Sequence, residues 1–223
     1  AGLNSAGVSI GSGVSSATLT SLVIEGNGTG IDINNSSGHS ITQNTITNNR
    51  TGMILRNQTN NLVVENNFIT NNWTVGVLFL DGSGGTNSPV QEAAGSSFRF
   101  NDISGNWYAQ VEDRQSGGSL LPPGSNLKNF SSNWFGAATP TVSPFQGGEP
   151  GYASQIPTAF GGTAVPPAPG PNFENIRGSA LANIDYSPTL ATGADTSAAA
   201  GFQPDFSHLV THAASPQVGS TGK

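Results

Sequence analysis

The chain has 223 residues, of which only 9% are charged; 13 Asp and Glu stand against 7 Lys and Arg, and there is no Cys. An acidic chain with no basic cluster is ill suited to nucleic acid, whose phosphates need Lys or Arg in patches. Without Cys there is no disulfide framework, zinc-thiolate site or thiol chemistry, and no apolar run reaches the roughly 18 residues that would predict membrane insertion. The opening Ala1-Gly2-Leu3-Asn4 lacks a basic region followed by an apolar run, so a mature form or a piece of a longer chain is expected. Asn-x-Ser/Thr triplets occur at Asn27, Asn35, Asn49, Asn57, Asn72 and Asn129, and in a chain this rich in Asn and Thr they are expected by chance.

Taken in order, the sequence repeats itself. Val8-Ser9-Ile10 returns as Ile31-Asp32-Ile33, then Met53-Ile54-Leu55, then Val77-Leu78-Phe79. Ile41-Thr42-Gln43-Asn44-Thr45-Ile46-Thr47-Asn48-Asn49 returns as Val64-Glu65-Asn66-Asn67-Phe68-Ile69-Thr70-Asn71-Asn72, an offset of 23. A period this short suits a solenoid with one coil per repeat. Short alternating segments bounded by Asn, Gly and Ser predict strands and turns. The fourth coil is interrupted after Leu80 and resumes with Phe98-Arg99-Phe100-Asn101-Asp102-Ile103-Ser104-Gly105-Asn106. A fifth, less regular coil runs from Ala109 through a Gly/Pro-rich loop to Asn133.

The alternation predicts Ile31, Ile33, Met53, Leu55, Val77 and Phe79 on one face of a strand column, with Asp32, Ile54 and Leu78 on the other. Stacking such coils makes three parallel sheets around one apolar core, which no single coil could bury alone. Asn44, Asn67 and Asn101 recur at one bend, while Asn27, Asn49, Asn72, Asn106 and Asn133 recur at another. Amides at tight bends satisfy backbone groups and bond to the same residue in the next coil. That reading is preferred to an external array binding sugar or ice. An ice-binding surface needs regular outward Thr rows, and the Thr positions do not align through all coils.

Composition shifts at Gly136. Eleven of the 14 prolines fall between Pro140 and Pro216, among scattered apolar residues such as Phe160, Ile184, Phe202 and Phe206. We therefore expect a solenoid over residues 1–136 and an extended strap over 137–223. The strap would lie on the flank, cap the open end, where unpaired strand edges need cover, or dock on another subunit.

The pattern Gly-Ile-x-Ile followed by Ile-x-x-Asn-x-Ile-x-x-Asn resembles the right-handed parallel β-helix repeat, over roughly Val8 to Gly136. That family includes secreted pectate lyases, polygalacturonases and other carbohydrate-binding and sugar-hydrolase proteins. The resemblance implies an all-β fold of about five coils, here followed by a Pro/Gly-rich extended segment, in a bacterial secreted or surface protein. The tail segments Asn183-Ile184-Asp185-Tyr186-Ser187-Pro188 and Gly201-Phe202-Gln203-Pro204-Asp205-Phe206 also resemble segments that follow such repeats in large bacterial surface proteins.

In β-helix enzymes the acids sit on the outer face of the first sheet beside cleft-forming loops. The corresponding candidates are Asp81, Glu112 and Asp113, with Arg56 and Arg114 close by. By register Asn35, Asn57 and Asp81 should stack, followed by Asp113 or Arg114. Two carboxylates there would serve glycoside hydrolysis as acid and base, and a carboxylate with calcium and an Arg base would serve a lyase. The Asn-Thr-Asp, Asp-Asp, Gly-His-Gly and Arg-Ile-Lys motifs of polygalacturonases are missing, and Gly38-His39-Ser40 only echoes one of them. No Asp-x-Asp cluster has calcium-loop spacing, so no cofactor is expected. His208 and His212 lack a third ligand nearby and read as surface residues.

Trp73, Tyr108 and Trp134 follow or flank Asn72, Asn106 and Asn133. They are candidates for a sugar-stacking strip or, preferably, a bed for the tail. The expectation is thus a non-catalytic extracellular or cell-surface rod. Its partners would be copies of itself or other surface proteins. The alternative is a carbohydrate-active enzyme or polysaccharide-binding module using the face near Asp81, Glu112 and Asp113.

Overall fold

A computed structural model describes residues 5–81, 90–115, 121–122, 124–143, 175–178 and 181–216. Three parallel sheets wrap one core. The second joins β2 (Thr18–Thr20), β5 (Ser40–Thr42) and β8 (Val63–Glu65), and the third joins β3 (Val23–Glu25), β6 (Thr45–Thr47) and β9 (Phe68–Thr70). The first sheet is longer: β1 (Ala6–Ile10), β4 (Thr29–Asn34), β7 (Thr51–Arg56), β10 (Val75–Leu80) and β11 (Ala109–Asp113) follow in chain order.

Three coils, rather than five, therefore carry regular strands on every side. The next two keep the first-sheet strand and continue the other sides through single bridges, Val63 to Ser97 to Asn129 and Phe68 to Asp102 to Trp134. Ladder hydrogen bonds span 23 residues in the regular coils but 34 across the interrupted one. The interruption breaks strand geometry while leaving the register intact.

The inward columns match the sequence alternation. Ile31, Met53, Val77 and Val111 form one, while Ile41, Val64, Phe98 and Phe130 form another, all fully enclosed. Phe98 stacks flat on Phe130 with ring centres 4.8 Å apart, and Phe79 meets both edge-on at 5.5 and 5.9 Å. These aromatics fill the wider interior of the irregular coils. Ile54 and Leu78, on the opposite face of the first sheet, are also buried, in a cluster with Val75, Tyr108 and Ala109.

The first sheet runs past the expected division at residue 136. Strand β14 (Asn175–Gly178) pairs in parallel with β11, and β13 (Thr141–Ser143) lies outside β14, so chain order and sheet order are inverted there. After a short 3-10 turn at Leu181–Asn183, β15 (Ile184–Asp185) pairs with β12 (Lys128–Asn129). Finally β16 (Thr189–Leu190) pairs antiparallel with β17 (Leu209–Val210), and the Leu190 amide bonds the Asn133 carbonyl at 3.0 Å. Among the described residues no helix is long and apolar enough to cross a membrane.

Candidate functional site

The Asn columns are internal. Asn67 shows the unit: its N–H and Nδ2 both donate to Asn101 Oδ1, at 2.9 and 3.0 Å. Its Nδ2 also reaches the carbonyls of Ile41 and Glu65, and its Oδ1 accepts from the N–H and Nδ2 of Asn44. The residue before each ladder Asn holds the left-handed conformation, as at Gln43, Asn48, Asn66 and Asn71, which turns the chain through the bend. One column runs Asn44, Asn67, Asn101, Asn133 and the other Asn27, Asn49, Asn72, Asn106. Asn133 thus belongs to the first column rather than the second, because Gln110 Oε1 takes the place beyond Asn106. The fifth coil bends one site earlier than the repeat template predicts.

The candidate acids are enclosed. Asp113 lies in register with Phe79 and points into the core. Its Oδ2 accepts from Lys128 Nζ at 2.9 Å, and both residues are 0% exposed. Gln115 Nε2 donates to both Asp113 oxygens at 2.9 and 3.0 Å. Asp81 is buried, its Oδ1 accepting the Gln91 N–H at 2.8 Å. It does stack on Asn57 and Asn35, but the residue that follows is Gln115, since Phe79 pairs with Asp113. Glu112 takes the outer face, 2.9 Å from Arg114 and in register with a fully buried Arg177, whose guanidinium lies 4.3 Å over the Tyr108 ring. Arg56 holds Asp32 by two hydrogen bonds of 3.0 Å. In place of acids grouped on an outer-face cleft, Asp113 is paired in the core, Glu112 is paired with Arg114 on the outer face, Asp81 holds a backbone amide, and the Arg56–Asp32 pair stays partly exposed.

His39 is also structural. Its Nδ1 accepts the Ala17 N–H at 3.1 Å, so the proton sits on Nε2, 2.8 Å from Ser36 Oγ; burial holds its pKa below the usual histidine value. Among the described residues no cluster of three His, Asp or Glu could hold a metal ion. His208 and His212 flank extended β17, and His212 bonds Thr189 Oγ1 at 2.8 Å.

The expected aromatic strip is divided. Tyr108 is buried beneath Arg177, and Trp134 packs against the tail, where a Cβ on Gly193 would come within 2.4 Å of its Nε1. The tail also seats Phe202 against Phe68 at 5.5 Å, with hydrogen bonds between Phe202 and Asn66 in both directions, and Phe206 edge-on to Phe100 at 5.3 Å. Asp102 lies under this strap, where burial and the nearby Asp195 charge raise its pKa to about 6, against the opposing Ser104 hydroxyl bond.

Trp73 instead pairs with Trp107, which the sequence reading passed over. Each directly follows a ladder Asn, and their amides bond successive ladder carbonyls, Asn49 and Asn72. The two indoles, with Asn48, Asn71, Asn72 and Gly105, line a corner groove of about 220 Å³. Gly105 has a positive φ of 66°, and a Cβ there would come within 2.5 Å of Asn71 Oδ1, so glycine lets the Asn71 amide lie in the groove. Arg50 precedes Trp73 in the same column. The recurrence of Asn-Trp at 72–73 and 106–107 was the signal available in the sequence.

A family model described as a right-handed β-helix region matches residues 2–121, more than half of the chain. The chain belongs to the right-handed β-helix family. Comparison with curated proteins and with solved structures finds no match in either. Membership in the β-helix family accounts for the parallel sheets and stacked bends; activity has to be argued from the site itself.

Proposed function

We propose that the protein is a non-catalytic β-helical scaffold of the extracellular or cell-surface kind, with its C-terminal chain acting as the cap on its last coil. The observation that carries this reading is the enclosure of Asp81, Glu112 and Asp113. Glycoside hydrolysis needs one carboxyl group at the leaving oxygen and another at the sugar or its water, and enclosed groups reach neither. The β14 and β15 pairings support the capping role, since they cover edges that would otherwise template association. At the other end, Val14, Leu22 and Val23 are exposed at 46, 39 and 69% on the first coil, and this is where we place self-association or docking of another surface protein. The test is incubation with acidic and neutral polysaccharides, followed by assays for reducing ends and unsaturated products. Neither should form. Product that disappears in Glu112→Gln or Asp81→Asn protein of unchanged circular dichroism would overturn the reading.

A second reading, polysaccharide binding without cleavage, is favoured by the Trp73–Trp107 groove. Two indoles offer apolar faces to sugar rings, Asn48 and Asn71 offer amides to hydroxyls, and the nearby Arg50 favours an acidic sugar. Calorimetry with uronate and neutral oligosaccharides would test it. Binding should fall at least tenfold in Trp73→Ala and Trp107→Ala, and equal binding by both variants and the parent chain would remove this site.

A further inference from the structure

We propose that Lys128 and Asp113 condense to an intramolecular isopeptide bond, an amide joining Lys128 Nζ to Asp113 Cγ inside the fifth coil. This goes beyond the scaffold reading and does not depend on it.

The geometry supplies each part of the reaction. The amine and the carboxyl lie 2.9 Å apart, both entirely enclosed, on strands β12 and β11 that face each other across the coil interior. Each has an apolar register partner on one side: Phe79 for Asp113 and Ile184 for Lys128. The ammonium sits 4.7 Å over the Phe79 ring, and its contact with the Asn126 carbonyl is long, at 3.4 Å. Two charges this dry are costly unless further hydrogen bonds compensate them. Desolvation accordingly weakens the hold of Lys128 on its proton, against the opposing charges of Asp113 and Asp81. A desolvated lysine amine is a nucleophile, and reacting groups fixed in contact gain the large rate advantage of pre-paid orientation.

The step balances with no other reactant. One proton passes from Nζ to the carboxylate, leaving a neutral amine beside a neutral acid. The nitrogen lone pair attacks Cγ, and charge develops on the oxygen that Gln115 Nε2 already contacts, an oxyanion donor in place before reaction. A second proton passes from Nζ to the departing hydroxyl across the same contact. The C–O bond breaks and one water leaves, so that an ammonium and a carboxylate become an amide and water. The neutral product removes both buried charges. It also ties the end of β11 to the start of β12 across the intervening Gly/Pro-rich loop.

Mass spectrometry of the intact, purified full chain under denaturing conditions tests this directly. The chain should be lighter than its sequence by one water. Trypsin should leave Lys128 uncut and release a branched peptide joining the piece ending at Arg114 to the piece spanning Lys128. Lys128→Arg should restore the full sequence mass. Asp113→Asn should still condense, losing ammonia and giving the same amide and the same final mass. Parent chain of full sequence mass, cut at Lys128 after prolonged incubation in the folded state, would overturn the bond itself.

Discussion

The first three coils and the two that follow solve the same problem with different chemistry. Both bury polar side chains at the bends. In the regular coils the buried group is an amide: Asn44 and Asn67 pass hydrogen bonds from coil to coil, and the ladder carries on through Asn101 to Asn133, where the later coils add carboxylates. An amide donates and accepts, so each Asn presents to the next what it received from the last, and the column can grow indefinitely. A carboxylate only accepts. Asp81 and Asp113 stand outside both ladders, in separate columns, and each is met by donors: the Gln91 N–H for Asp81, and Gln115 and Lys128 for Asp113. Neutral amides therefore hand a hydrogen bond on to the next coil, while a carboxylate and its donors close on one another.

The sharpest way to break this contrast is at Lys128. Lys128→Met leaves Asp113 enclosed without its cation and should cost about 3–5 kcal/mol in chemical denaturation. Adding Asp113→Leu should recover the part of that loss that comes from the unpaired buried carboxyl, leaving the part due to the missing amide link between β11 and β12. Next in size is Asn67→Ala, which orphans the Asn44 donors and two carbonyls and should cost about 2–4 kcal/mol by the same measurement. Asp102 tests how the strap over the third side responds to charge. Its folded pKa of about 6 lies above the ordinary 3.8, so the folded state holds the proton more tightly. The resulting stability is fully present below pH 3.8 and is lost as pH rises through about 6. Asp102→Asn should flatten this dependence and raise stability at pH 7 by about 1–2 kcal/mol, read from melting temperature across pH 4 to pH 8. The smallest effect belongs to Asn27→Ala, about 0.5–1 kcal/mol, because among the described residues this member of the second ladder bonds a ladder neighbour on one side only. A cost equal to that of Asn67→Ala would mean that ladder position has no bearing on ladder energy.

Particular residues explain what could be read from the sequence. The alternation at Ile31-Asp32-Ile33 and its repeats placed the core columns, because apolar burial on a strand has a period of two. The Asn bends were legible because a tight turn in a buried backbone needs a short amide beside it. Asp113 departs from the expected outer face for a related reason. A carboxylate within a repeat reads as an outer-face residue unless its cation can be identified, and Lys128 is 15 residues from Asp113, across a loop of no fixed register. Asn133 was assigned to the wrong column because Gln110, a longer amide, fills the expected position from the following strand. Trp107 is masked in the sequence by the adjacent aromatic Tyr108, although Trp73 and Trp107 keep the same phase after a ladder Asn.

The inverted order of β13 and β14 bears on how the molecule is made. Successive coils from β1 to β11 can each settle on the previous one as the chain leaves the ribosome, since every new strand finds its template already in place. The sixth strand of the first sheet breaks that sequence: Thr141–Ser143 emerges early yet lies outermost, and Asn175–Gly178, which belongs between it and β11, is synthesised later. Growth that is local and vectorial over most of the rod thus ends in a non-local step, with the loop-closure cost and slower kinetics such contacts bring. Until that step, the edge of β11 stays open to any strand that reaches it first.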